Sequence, residues 1–328
     1  MKQQQDNSQW DNYWSQGNIH SLSTAFSGNY EGAIAEFWKQ IFTSLPEQSV
    51  ILDVGTGNGA IAFLAAEASL RDNKKFKIYA MDLADIDPAK AADLHPELAP
   101  LLKQIEFLGK TSVTELPYSD QQFDFIMGQY SIEYTPIAKT LAELRRILKP
   151  SGKMAFAVHH QESVVMATTR DELKQAEILF EQTKLFIRAK SLVKAMGDNT
   201  SKKQKASLRA NPITEKKRNA LNKAFAEASA EVEKRIDGNF LLTAIDYIKQ
   251  VFAPTNNQTM KQKLEYLSSS QQIIKANQKR LEDLFQACFS NEDIELFIKL
   301  CEKHQFSEPK FSSFINEDGH LLAWKLLI

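Results

Sequence analysis

The sequence predicts an α/β protein: a seven-stranded sheet, mostly parallel with an antiparallel last strand, interrupted by a large helical insertion. Three observations lead there. Between Ser49 and Val158 strand-like and helix-like blocks alternate, as expected of parallel strands with helices on the sheet's faces. From about Ser163 the alternation stops, and well over a hundred residues follow with helical spacing. Near the end, Pro309 to Ile315 and His320 to Leu327 read as two strands joined by Asn316-Glu317-Asp318-Gly319, whose Asp-Gly pair favours a hairpin turn.

In chain order, residues 1–46 form an aromatic-rich segment in which Trp10, Tyr13, Trp14, Phe26, Tyr30, Phe37, Trp38 and Phe42 are spaced irregularly, suiting short packed helices. Residues 47–160 form the α/β core. Val50 to Val54 is the first strand and Asn58 to Ser69 its helix; Lys77 to Met81 is the second strand, followed by a helix around Pro88 to Leu102. Ile105 to Leu108 and Phe123 to Met127 are the third and fourth strands. A helix from Pro136 to Leu148 ends at Lys149-Pro150-Ser151-Gly152, a helix stop and turn, before a fifth strand from Lys153 to Val158. Residues 161–290 carry three apolar helical stripes: Leu173, Ala176, Phe180, Phe186 and Val193; Leu221, Ala224, Phe225, Ala228 and Val232; Leu264, Leu267, Ile274, Leu281 and Phe285. Residues 291–328 return to the core with a helix from Asn291 to His304 and the last two strands.

Composition narrows the function classes. The 328 residues are 43% hydrophobic and 25% charged with a net charge of −1, so the molecule as a whole offers no electrostatic argument for DNA or an anionic membrane. The start lacks the apolar stretch of a signal peptide and no run of about 18 apolar residues occurs, which reads as cytoplasmic. Cys288 and Cys301 lack metal-ligand spacing, so no metal site is expected.

The chemistry concentrates in Ile51-Leu52-Asp53-Val54-Gly55-Thr56-Gly57-Asn58-Gly59-Ala60. An apolar strand carries an acid near its end and then breaks into three alternating glycines, which lets the backbone turn sharply and approach a ligand closely. Gly55-x-Gly57-x-x-Ala60 formally fits a dinucleotide fingerprint. Against that stand Asp53 within the strand end, the third glycine Gly59, and the next acidic strand end, Asp82, which lies 27 residues after Gly55; the ribose-binding acid of dinucleotide folds follows at roughly 20.

With these residues the chain resembles the class I S-adenosylmethionine-dependent methyltransferases, a Rossmann-like family, over about Trp10 to Val158 and again in the last two strands. The resemblance implies that Asp53, Gly55, Thr56, Gly57, Asn58 and Gly59 cradle the amino-acid end of S-adenosylmethionine, and that Asp82, with Leu83 beside it, holds the ribose. Leu116-Pro117-Tyr118-Ser119-Asp120 before Phe123-Asp124-Phe125 is similar to the family's Leu-Pro-Phe turn and fourth strand, and Leu141 to Gly152 to its next helix and turn. Ser112 stands where an adenine-binding Asp is common, with Val113 positioned to pack on the ring. Gln129 and Tyr13 complete the implied cofactor set, Tyr13 through a hydroxyl reaching the cofactor carboxylate.

Ligands of open α/β sheets lie beyond the carboxyl ends of the strands. The residues there, Gln129 to Tyr134 and His159-His160, give His159, His160 and Glu133 as candidate catalytic groups and Tyr130, Ser131 and Tyr134 as candidate substrate contacts. Consecutive strand residues point to opposite faces, so one of the two histidines at most faces the site. The Asn-Pro-Pro-Tyr signature of enzymes acting on base amines is absent.

The expected activity is methyl transfer to O or N of a small-molecule acceptor under a helical lid, by a monomer or homodimer. Between Arg170 and Lys223 the insertion carries 14 Lys or Arg against 6 Asp or Glu, densest from Lys202 to Arg218. That loop keeps open an RNA or protein substrate, and a non-catalytic cofactor-binding relative is a third reading.

Overall fold

A computed structural model describes residues 8–22, 28–198, 211–253 and 255–328. The chain divides into two units, Met1–Met166 with Asp283–Ile328, and Ala167–Glu282.

The first unit opens with helices α1 (Ser8–Trp14) and α2 (Gly32–Ser44), and then alternates β1 (Val50–Val54), α3 (Ala60–Arg71), β2 (Lys77–Met81), α4 (Pro88–Leu94), α5 (Ala99–Leu102), β3 (Ile105–Leu108), β4 (Phe123–Gln129), α6 (Ile137–Ile147) and β5 (Leu148–Val158). Its seven strands lie in the order β3-β2-β1-β4-β5-β7-β6, where β6 is Lys310–Ile315 and β7 is Leu321–Leu327. β7 pairs antiparallel with both neighbours and the remaining pairings are parallel. The Asn316–Gly319 turn forms as its sequence requires: Gly319 sits at φ +83° and Asn316 N donates to His320 O at 2.9 Å.

Strand alternation separates two cores. Ile51, Ala80, Phe125 and Met127 face one side with Trp38 and Phe42 of α2 and Phe63 of α3; Leu52, Val54, Met81 and Ile126 face the other with Leu141, Leu144 and Ile147 of α6. Burial of both faces explains why β1 and β4 read as nearly continuous apolar runs.

Two local expectations are corrected. The helix expected over 88–102 breaks into α4, a 3₁₀ turn (Pro96–Leu98) and α5, because Pro96 and Pro100 lack the amide a continuous helix needs and His95 before Pro96 is driven to φ −129°. The turn expected at 149–152 is a bulge inside β5: Phe123 pairs with Leu148 and Phe125 with Lys153, so five residues of β5 span two of β4. Lys149 Nζ holds it by bonding both oxygens of Asp124 at 2.8 Å, while Asp124 accepts from Val50 N on β1. The return helix α12 (Asn291–Lys303) matches its expected range and starts in a capping box between Ser290 and Asp293.

The second unit is helical: most of α7 (Val164–Glu177), α8 (Leu185–Met196), α9 (Pro212–Val232), α10 (Asn239–Val251) and α11 (Met260–Ala287). Its core gathers the expected stripes at Ala176, Phe186, Val193, Leu221, Ala224, Ala228, Leu267, Ile274 and Leu281. Two details differ. The first stripe is broken by a π-helical turn (Ile178–Gln182), where Thr183 donates through both N and Oγ1 to Ile178 O and Lys184 adopts φ +51°. Phe285 is 46% exposed, the buried position in that turn going to Leu284. The loop residues Lys202, Lys203, Lys205 and Arg209, with Phe26 of the aromatic segment, lie outside the described residues. Among those described, no helix is long and apolar enough to cross a membrane.

Candidate functional site

The strand order reverses between β1 and β4, and the loops after these two strands flank the crevice this creates. Three acids line the loop ends, Asp53 and Glu133 buried and Asp82 half-buried.

Asp53 is 1% exposed; its Oδ2 accepts from Thr56 Oγ1 at 2.7 Å, while Oδ1 has no hydrogen-bond partner among the described residues. Burial pushes its pKa up to about 7, with the Thr56 hydroxyl opposing. Gly55, Gly57 and Gly59 all have positive φ, +66°, +55° and +103°. The loop closes through Thr56 N to Met81 O at 3.0 Å and Gly59 N to Thr56 O at 2.9 Å. A Cβ on Gly55 would sit 2.4 Å from the Ser131 Cβ, and one on Gly57 2.5 Å from the Trp14 ring. Side chains from two other segments thus rest directly on the glycines, and no other residue type fits.

Asp82 Oδ2 accepts from Gly57 N at 2.7 Å and its Oδ1 from Ala84 N at 2.8 Å, so the acid ending β2 fixes the loop leaving β1. Burial raises its pKa, with these amides opposing. Leu83 beside it is 43% exposed.

Glu133 lies in a 3₁₀ turn (Ile132–Tyr134) after β4. Its Oε1 accepts from His159 N at 2.8 Å, and its Oε2 has no hydrogen-bond partner among the described residues. Burial pushes it up to about 7, with the His159 amide opposing. Tyr130, at φ +54°, stacks flat on His159 with ring centroids 4.1 Å apart, and Tyr134 meets the same ring edge-on at 6.1 Å. Glu133, Tyr130, Ser131, Tyr134 and His159 therefore form one cluster at the carboxyl ends of β4 and β5. His160 is turned elsewhere: it stacks on Trp324 of β7 at 4.2 Å and its Nδ1 accepts from Glu162 N.

Other expected cofactor contacts have partners of their own. Asn58, wholly buried, donates to Trp14 O at 2.9 Å and Asn18 O at 2.8 Å and accepts from Asp87 N at 2.8 Å, so it ties the N-terminal segment and the segment after β2 to the glycine loop. Gln129 Oε1 accepts from Trp38 Nε1 at 2.8 Å. Tyr13 donates its hydroxyl to His20 O at 2.8 Å. Ser112 Oγ bonds Thr114 Oγ1 at 2.9 Å in a local turn, with Val113 buried beside it. Sequence reading missed Trp14 and Ser131 as covers of the glycines and the bracing role of Asn58. Only the clustering Trp10-Asp11-Asn12-Tyr13-Trp14 hinted at the first. Among the described residues no group of three or more His, Cys, Asp or Glu side chains is arranged to hold a metal.

The arrangement offers acid acceptors to a ligand that carries hydrogen-bond donors. Each Asp82 oxygen receives one amide and keeps a lone pair for a hydroxyl donor, and Asp53 Oδ1 is a buried acceptor awaiting a donor.

Residues 51–152 match the model of a family described as a methyltransferase domain. A ubiquinone/menaquinone biosynthesis C-methyltransferase, UbiE, of Rickettsia felis is 33% identical over 156 residues, covering 42% of this chain and 59% of that protein. A 2-phytyl-1,4-naphtoquinone methyltransferase of Trichormus variabilis is 29% identical over 132 residues, covering 38% and 54%. The chain thus spans less than two thirds of the length of these curated relatives. Among solved structures, a SAM dependent methyltransferase from Aquifex aeolicus is 29% identical with a TM-score of 0.33, covering 39% of this chain and 65% of that one.

Proposed function

Because residues 51–152 are a class I S-adenosylmethionine-dependent methyltransferase domain, we propose that the protein transfers a methyl group from that cofactor to an electron-rich ring of a small aromatic acceptor. The observation that carries this reading is the pair of acids, buried Asp53 and half-buried Asp82, braced around a three-glycine loop at the point where the strand order reverses. The quinone methyltransferases among the relatives, one of them named for carbon methylation, favour a quinol-type ring and a carbon acceptor over the O or N acceptor expected from sequence.

When bound, S-adenosylmethionine supplies a methyl group on a positively charged sulfur, electrophilic without further activation. Asp82 holds the ribose hydroxyls and keeps the Gly57 amide in place. Asp53 Oδ1 accepts from the amino-acid end. Glu133, with a pKa of about 7, takes the proton that the acceptor releases, and Tyr130 and His159 hold it in a dry, stacked wall. Trp10, Trp14 and Tyr134, with Trp10 centroids 6.0 Å from Trp14 and 5.8 Å from Tyr134, offer aromatic faces to a flat acceptor.

The test is transfer of labelled methyl from S-adenosylmethionine to a series of reduced quinones, to other phenols, and to RNA and protein, with the new methyl located by NMR. Methyl on a ring carbon of a quinol supports the reading. Transfer to RNA or protein alone, or the absence of S-adenosylhomocysteine binding by calorimetry, refutes it.

A further inference from the structure

The segment between β3 and β4 carries Ser112 and Val113 and has no regular secondary structure, so its backbone groups must find partners elsewhere. Upstream, Thr111 N donates to Asp82 O at 2.9 Å and Lys110 N to Ala84 O at 3.0 Å. Downstream it is gripped by two side chains one turn apart on α6. Glu143 Oε1 accepts from Leu116 N at 2.7 Å. Arg146 donates through Nη2 to Leu116 O at 3.1 Å, through Nη1 to Tyr118 O at 2.8 Å and to Asp120 Oδ1 at 2.8 Å, while its own carbonyl accepts from Gln121 N at 2.9 Å. The two side chains are joined by a forked pair, Nε to Oε2 at 2.9 Å and Nη2 to Oε1 at 2.7 Å.

Only Ser112 to Glu115 lies between the two pins, closed by Glu115 N to Ser112 O at 3.1 Å. We infer that Glu143 and Arg146 are positioning residues for the cofactor: by clamping Leu116 to Gln121 they fix the Ser112–Val113 turn against the adenine. The inference rests on the proposed methyltransferase reading. It assigns the clamp to cofactor affinity and leaves the chemical step untouched, since neither side chain contacts the Glu133 cluster by any hydrogen bond described above. Arginine is required by its geometry, because one guanidinium serves two carbonyls and two carboxylates at once and a lysine ammonium lacks that fork.

The test is calorimetric titration of the full chain with S-adenosylhomocysteine and with adenosine, for wild type, Arg146→Lys and Glu143→Gln, together with kcat and the KM for S-adenosylmethionine. The expected result is a loss of about tenfold in affinity for Arg146→Lys, equal for both ligands, with KM raised to match and kcat unchanged. Glu143→Gln, which keeps an acceptor for Leu116 N, loses less. General damage to the fold would instead lower the bound fraction and kcat. Wild-type affinity in Arg146→Lys overturns the inference alone; failure of wild type to bind either ligand overturns the reading of the site along with it.

Discussion

Replacing Glu133 with Gln tests whether this buried acid is held unpaired in the fold. In the native protein its pKa rises from 4.5 to about 7, first through burial, with the bond from His159 N opposing. A rise of that size corresponds to about 3 kcal/mol of preference for the protonated form. The sign follows directly. With the folded pKa above the unfolded one, Glu133's contribution to stability is full below pH 4.5 and is lost as pH climbs through 7. Gln keeps the acceptor for His159 N and carries no charge at any pH. Urea denaturation at intervals from pH 5 to pH 8.5 is therefore expected to find Glu133→Gln gaining on wild type, approaching about 3 kcal/mol at the alkaline end. A difference that stays constant with pH, or that runs the other way, would mean that Glu133 carries a compensated charge, and the reasoning would fail. In the proposed reaction the same variant loses most of the methyl transfer and the rise in rate through pH 7, while S-adenosylhomocysteine binding is retained.

Two further substitutions probe the loop. Gly57→Ala places a Cβ 2.5 Å from the Trp14 ring on a backbone at φ +55°; a cost of about 2–4 kcal/mol in thermal or urea unfolding is expected, with loss of S-adenosylhomocysteine binding. Unchanged stability and binding would show that the loop relaxes freely. Asn58→Ala removes two donors and one acceptor from a wholly buried site; about 2–3 kcal/mol is expected to be lost, with faster proteolysis among residues 8–20 as the N-terminal segment loosens. Proteolysis at the wild-type rate would contradict the bracing role.

The glycine loop, both ends of the sheet and the helix α12 were legible because each rests on local rules: strand alternation, a capping box, an Asp-Gly turn. The Pro150 bulge was not, because Lys149 and Pro150 read as a helix stop while the ion pair with Asp124, 25 residues away, keeps the segment in the sheet. At the site, Asp53 and Asp82 were recognisable as strand-end acids. Their use was not: Asp82 turned out to brace Gly57, and Asn58 to hold two distant backbone carbonyls.

By itself the sequence determined the order of strands and helices and the loop where a nucleoside-like ligand belongs. Periodicity and glycine conformation act over a few residues, so they survive reading in one dimension. Only the tertiary structure decided that Trp14 and Ser131 cover the glycines, that His159 and not His160 joins the Glu133 cluster, that Glu133 is buried with no ion-pair partner among the described residues, and that α6 clamps the Leu116 turn. Each depends on desolvation or on a hydrogen bond between segments far apart in the chain, and burial exists only once the sheet has brought them together.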